Sequence, residues 1–282
     1  MISKFKILSI IITFLLIWSC ADKKDKISKI KETDMELQMS NAYKEGYLEY
    51  KKGDVLLSAK KFNEAELLFP QSPWAPRAAI MAAYVYYTQN YYGDAVFELE
   101  RYLKTYPNHK DEVYAHFLLG MCFYEQIVNE KKDLKSILNS KRQFEIIIQK
   151  YPSSEFAIDA KFKIDLIEEV LAAKEMYLAN YYLKRNKWIP AINRFKTVVK
   201  EYDSTIYTEE ALHILVEINY NLGLIEESKK YATILGYNYQ SSDWYKSTYK
   251  VFNQNYRDGI RELQKDKKLK NRLIKRLKNL FE

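Results

Sequence analysis

An all-α fold built from repeated helix pairs is predicted by three observations. Breaks with an aromatic residue and usually proline recur at Phe69-Pro70-Gln71-Ser72, Tyr106-Pro107-Asn108-His109 and Tyr151-Pro152-Ser153-Ser154. Two variants follow, Tyr202-Asp203-Ser204-Thr205 and Tyr239-Gln240-Ser241-Ser242, and the second positions are 37, 45, 51 and 37 residues apart. Small residues fall at matching offsets before each break. From Leu37 onward apolar side chains recur at helical spacing, without hairpin dipeptides or sustained alternation.

The spacings fit the 34-residue tetratricopeptide unit plus a few loop residues, with the third and fourth copies lengthened internally. The predicted architecture is a tetratricopeptide-repeat superhelix of five helix pairs with additional C-terminal helices. The pairs are expected over 38–71, 77–108, 112–153, 157–204 and 208–240. In the first, Gly46, Phe62 and Ala65 occupy the positions where antiparallel helices meet. The same positions are taken by Ala83, Ala95 and Leu99, by Ser140, Phe144 and Ile147, by Ala191, Phe195 and Val198, and by Ser228, Ala232 and Leu235. Close approach demands small side chains there, because overpacking costs about 1–3 kcal/mol. Gly53, Asn186 and Gly223 suit the left-handed turn inside a pair. Pro190 fits the first turn of a second helix, and residues 157–184 read as one unbroken helix.

The N-terminus has a different character. Lys4 and Lys6 precede an apolar run from Ile7 to Trp18, which is short for a membrane span and has the layout of a secretory signal peptide over residues 1–19. The run ends Trp18-Ser19-Cys20, which resembles a bacterial lipobox, in which cysteine is acylated and becomes the first mature residue. A plain uncleaved anchor is the alternative. Residues 20–37, charged and free of aromatics after Cys20, are expected to be a lipidated N-terminus and flexible tether. Residues 38–110 then hold pairs one and two, 111–154 pair three, 155–240 pairs four and five, and 241–282 a capping helix and basic tail. Cys122, in the apolar run LLGMCFY, reads as a core thiol, and a disulfide scaffold is excluded.

The chain carries a formal charge of +8. Residues 257–282 hold ten basic and four acidic side chains, so the body from 20 to 256 is near neutral. That balance argues against nucleic acid as a partner. Three histidines, His109, His116 and His213, show no metal-ligand spacing, and no phosphate loop or nucleophile motif is present. No catalytic residue, metal or cofactor is therefore nominated. His109, in a break, is expected to be solvated. Tyrosine is abundant, at 25 residues, and combines rigid apolar area with a polar handle suited to peptide capture. First helices line the groove of such arrays, which nominates Tyr84, Tyr87, Tyr114 and His116. After the last repeat, Trp244, Tyr245, Tyr249 and Phe252 can cap its apolar edge. In the tail, Leu269, Leu273, Leu277 and Phe281 fall on one stripe, with Lys268, Arg272, Lys275 and Arg276 as membrane or partner contacts.

The order of motifs completes the reading. The lipobox and charged spacer are followed by NAYKEGYLEYKKGD, EAELLFPQSPWAPRA, ERYLKTYPNHKDEVYAHFLLG, RQFEIIIQKYPSSEFAIDAKFKI and ANYYLKRNKWIPAINRF. Over about residues 1–250 the chain resembles the BamD family, tetratricopeptide lipoproteins of the outer-membrane β-barrel assembly machinery. The resemblance implies a non-enzymatic, lipid-anchored scaffold on the periplasmic side of the outer membrane. It implies three protein partners: a BamA-like barrel protein with periplasmic domains, accessory lipoproteins of the machinery, and unfolded outer-membrane protein precursors. N-terminal repeats would recognise precursors and C-terminal repeats would dock on the barrel protein. The motif AINRF carries the docking role over to Arg194, with Asn193 beside it. Ser58 stands where alanine is common in the family, Asp203 replaces proline, and the basic tail is not a strong family feature. An envelope-anchored repeat adaptor with no role in barrel insertion is the other reading.

Overall fold

The computed structural model describes residues 25–127 and 134–252, with side chains from Met35 onward in the first helix. The described residues form eleven α-helices and no strand. In chain order these are α1 (Asp25–Lys52), α2 (Val55–Leu68), α3 (Ala75–Thr88), α4 (Tyr92–Thr105), α5 (Glu112–Tyr124) and α6 (Leu134–Lys150). There follow α7 (Glu155–Leu183), α8 (Trp188–Glu201), α9 (Thr208–Asn221), α10 (Ile225–Asn238) and α11 (Asp243–Phe252). Two compact units divide between Gln126 and Ile127, the first holding α1–α5 and the second α6–α11.

Two backbone motifs recur and explain the repeat. At every break the aromatic carbonyl accepts the amide three residues on: Ser72 to Phe69, His109 to Tyr106, Ser154 to Tyr151, Thr205 to Tyr202 and Ser242 to Tyr239, at 2.9–3.3 Å. The residue between is proline in three copies. Asp203 and Gln240 serve as well, because the second position of such a turn favours proline without requiring it. The Tyr202 carbonyl also accepts the Thr205 and Thr208 hydroxyls at 2.8 and 2.9 Å. Inside the pairs, a residue at positive φ ends the first helix: Gly53 (85°), Asn90 (65°), Asn186 (57°) and Gly223 (79°). In each case the following amide reaches back five residues, as in Asp54 to Glu49, Tyr91 to Tyr86, Lys187 to Tyr182 and Leu224 to Asn219. This pattern satisfies the last carbonyls of the helix, and only glycine or asparagine adopts the turn at low cost.

The helices of a pair meet at the small positions. A Cβ on Gly46 would stand 3.2 Å from the Phe62 ring, and Phe62, Ala65, Ala83, Ala95 and Leu99 are fully buried. Ser58 turns its alcohol onto the Gly46 carbonyl at 2.7 Å, and Ser228 does the same to Val216 at 2.9 Å. Both bonds span twelve residues, so a hydroxyl replaces an alanine methyl without leaving a buried group unpaired. In the second unit Phe144, Ile147, Ala191, Phe195, Val198 and Leu235 are likewise fully buried, and Ala232 is partly so. The long helix expected over 157–184 is α7, 29 residues or about 43 Å long.

The structure differs from the expectations at several points. Residues 25–37, taken as part of a flexible tether, belong to α1. Lysine and glutamate there are good helix formers and no proline or glycine interrupts them. The third pair is divided, since α5 closes the first unit and α6 opens the second. The extra length between them accounts for this, and residues 128–133 lie outside the described residues. The cap α11 seats Tyr245 against Gly236, Phe252 against Tyr220 at 5.5 Å and Trp244 against His213 at 5.3 Å, but Tyr249 is 66% exposed. The signal segment, Cys20 and the tail contacts Lys268, Arg272, Lys275 and Arg276 lie outside the described residues.

Gly46→Val should lower stability by about 1–3 kcal/mol through collision with Phe62. Gly93→Ala, where nothing lies within 4 Å of the added methyl, should be neutral or slightly stabilising. Thermal unfolding followed by circular dichroism compares them. His213 is buried, 2.8 Å from the Thr248 hydroxyl of α11 and 3.6 Å from Glu217. Burial pushes its pKa down, and Glu217 opposes this more weakly. The unfolded chain therefore takes up the proton first, and the native chain should lose stability relative to His213→Gln as pH falls below about 6.5. Parallel melts at neutral and mildly acidic pH measure that difference.

Candidate functional site

The described residues contain no group of three His, Cys, Asp or Glu side chains able to hold a metal ion. Cys122 is fully buried, and burial pushes its thiol up to about 12, the wrong direction for a nucleophile. The notable surfaces are therefore polar-aromatic ones.

In the first unit, first helices bring tyrosines together. Tyr84 and Tyr87 lie on α3 and Tyr114 on α5, all half-buried against one core cluster. Burial pushes the Tyr114 phenol up to about 12, and the nearby Tyr84 and Tyr87 add to the shift. Two further residues join them. Tyr50 of α1 packs its ring 6.1 Å from Tyr84, and its phenol raises that of Tyr84. Tyr92, opening α4, lies 6.0 Å from Tyr87. Phenols raised in this way stay neutral and can each donate and accept. Tyr50 and Tyr92 were missed in the sequence, although Tyr50 falls in the last turn of a predicted first helix.

His116 does not join this group. It sits about 200° around α5 from Tyr114, mostly buried, with Nε2 3.6 Å from Glu112. His109 is not simply solvated. Its Nδ1 lies 2.8 Å from the phenol oxygen of the fully buried Tyr102 and accepts the Asp111 amide at 3.3 Å. An unforeseen polar clamp ties α2 to α4. Arg101 bonds Glu66 through Nη1 and Nη2 at 2.8 and 2.6 Å, and Glu98 through Nε and Nη2 at 3.0 and 2.9 Å. Asn63 donates to Glu98 at 2.9 Å and Tyr106 to Glu66 at 2.7 Å. The sequence signal was available: Asn63 and Glu98, like Glu66 and Arg101, stand 35 residues apart, one repeat.

In the second unit, Arg194 of α8 directs Nη1 to both carboxylate oxygens of Glu175 on α7, at 3.1 and 3.0 Å. Its side chain remains 43% exposed, and Nε and Nη2 make no bond among the described residues. Asn193 beside it is exposed. A neighbouring pair, Lys141 and Glu168 at 2.8 Å, joins α6 to α7. The arrangement offers a held guanidinium fork to a carboxylate on a partner.

Removing Arg101 leaves two nearly buried carboxylates facing each other. Arg101→Met should cost about 2–3 kcal/mol, and adding Glu66→Gln and Glu98→Gln should recover part of that. Urea unfolding of the three forms measures both effects.

The sequence profile of a family described as YfiO, outer membrane lipoprotein, matches residues 35–234. Among individual proteins, the Outer membrane protein assembly factor BamD of Caulobacter vibrioides is 34% identical over 236 residues, covering 84% of this chain and 76% of that protein. The protein of the same name from Rickettsia prowazekii is 34% identical over 254 residues, covering 90% and 98%. That of Neisseria gonorrhoeae is 28% identical over 222 residues, covering 74% and 82%.

Proposed function

The chain belongs to the YfiO family of outer membrane lipoproteins, and from that premise we propose that it is a non-catalytic scaffold of outer-membrane protein assembly with two separate protein-binding surfaces. The tyrosine face of the first unit takes precursor segments. The Arg194 region of the second docks on the periplasmic domains of a BamA-like barrel protein. An acylated Cys20 holds the chain to the outer membrane, facing the periplasm, where accessory lipoproteins of the machinery can join it.

The observation that carries this reading is the placement of partly exposed phenols on successive first helices. Tyr50, Tyr84 and Tyr114 come from α1, α3 and α5, so a bound segment would cross three helices. Unfolded barrel precursors alternate aromatic and polar side chains, as lipid-facing and lumen-facing residues alternate in the finished strand. Neutral tyrosines offer such a segment both stacking area and hydrogen bonds. Arg194 supports the docking half. Its bond to Glu175 pre-orients the guanidinium, so less side-chain freedom is lost when a carboxylate partner arrives. Joining the two sites in one chain raises the local concentration of precursor beside the barrel protein, without demanding tight binding at either.

Two experiments test the two halves. Arg194→Glu should cut co-isolation with a large barrel protein from mildly solubilised membranes about tenfold. Glu175→Arg in the same chain restores the internal pair but should not restore co-isolation. Recovery with the swapped pair would assign Arg194 to folding alone. Tyr84→Ala with Tyr114→Ala should weaken crosslinking to an aromatic-rich precursor peptide about tenfold with docking intact. Unchanged crosslinking, or barrel proteins that persist on depletion of the chain, would favour an envelope adaptor.

A further inference from the structure

One edge of the second unit combines unpaired cations with exposed apolar side chains. Because α7 and α8 run antiparallel, as do α9 and α10, with α11 reversing once more, the C-terminal ends of α7, α9 and α11 share that edge. The contact of Phe252 with Tyr220, 5.5 Å between rings, joins two of these ends directly.

At the α7–α8 turn, residues 184–190 are all exposed. They read Lys184-Arg185-Asn186-Lys187-Trp188-Ile189-Pro190, and no acidic residue occurs from 176 to 200. Lys184, Arg185 and Lys187 make no ion pair among the described residues. Arg185 instead lies over the Tyr181 ring at 3.6 Å. Ile189 is 74% exposed and Trp188 37%. At the α9–α10 turn, residues 221–227 are again all exposed and include Leu222, Leu224 and Ile225. The two acids that follow are Glu226, paired with Lys229 at 2.9 Å, and Glu227. Apolar side chains are exposed at the first-unit turns too, Leu56, Leu57 and Tyr91 among them. What sets the α7–α8 turn apart is its run of cations with no acid nearby, since at the α1–α2 turn Lys52 pairs with Glu49 and Asp54 follows.

We infer that this edge rests on an anionic membrane surface, with Trp188, Ile189, Leu222 and Leu224 at the level of the headgroups. Tryptophan, tyrosine and a few aliphatic side chains among lysine and arginine are the chemistry of that boundary. Cations there gain from anionic headgroups without any fixed partner geometry, which fits three cations that form no ion pair among the described residues, Arg185 contacting only the Tyr181 carbonyl and ring. Phe252, the last described residue, lies at the same edge, and residues 257–282 carry ten basic against four acidic side chains. Their sign opposes seating the tail on Lys184, Arg185 and Lys187, and favours one negative surface shared by both. The inference rests on the acylated Cys20 of the proposed function and is independent of the docking and client roles.

The test places a polarity-sensitive fluorophore on Ile189→Cys, on Leu222→Cys, or on Ser153→Cys at the opposite edge of the same unit. The full acylated chain is reconstituted in phosphatidylcholine vesicles with and without phosphatidylglycerol. Acylation retains the chain on both vesicles, so the signal reports the edge rather than recruitment. Labels at 189 and 222 should brighten and be quenched by doxyl-lipid when phosphatidylglycerol is present, while the label at 153 stays dark. Lys184→Glu, Arg185→Glu and Lys187→Glu together should remove most of the response, with helicity unchanged by circular dichroism. A label at 189 as dark as that at 153 would overturn the inference, as would an undiminished response in the charge-reversed chain. A response that appears only on adding an acidic envelope protein would assign the edge to a protein partner instead.

Discussion

The fold depends on how closely two antiparallel helices can approach. Gly46 lets the Phe62 ring lie against bare backbone, and buried alanines or serines, Ser58, Ala95, Ser140, Ala191 and Ser228, face the first helix from the second. Where the small residue is serine, its hydroxyl is consumed by a carbonyl of the facing helix. In three pairs the large side chain one turn further along the second helix, Phe62, Phe144 or Phe195, is fully buried. A repeat unit of this kind cannot bury its faces alone, so each pair leans on the next.

That dependence explains why the outward-facing side chains carry function. The core positions leave little freedom, whereas the outer face of each first helix can hold any residue that tolerates partial burial. In the first unit tyrosine fills this role repeatedly. In the second, the corresponding freedom goes to ion pairs between helices, Arg194 with Glu175 and Lys141 with Glu168. One scaffold thereby presents an aromatic surface in one unit and a charged one in the other.

The repeat itself was legible in the sequence because its determinants are local. Aromatic breaks, small slots and glycine turns each sit at a fixed offset, and each has a backbone reason. Asn90 escaped notice because asparagine at positive φ is common only where a turn already demands it. The start of α1 was missed because charge-rich composition marks solvation, and a solvated helix and a flexible tether share it. His109 and the Arg101 clamp depend on side chains meeting across repeats, and no single window of sequence contains both partners. The tyrosine face was half legible: Tyr84, Tyr87 and Tyr114 were chosen by element, while His116 lies on another side of α5. The divided third pair followed from extra length that was seen but read as an internal loop.

Burial raises the phenols of Tyr84, Tyr87 and Tyr114 above the ordinary tyrosine value. They therefore stay protonated at neutral pH, as even an unshifted phenol does. A surface made of carboxylates or imidazoles changes its charge and its hydrogen-bonding pattern between mildly acidic and neutral pH. One made of phenols keeps the same donors and acceptors across that range.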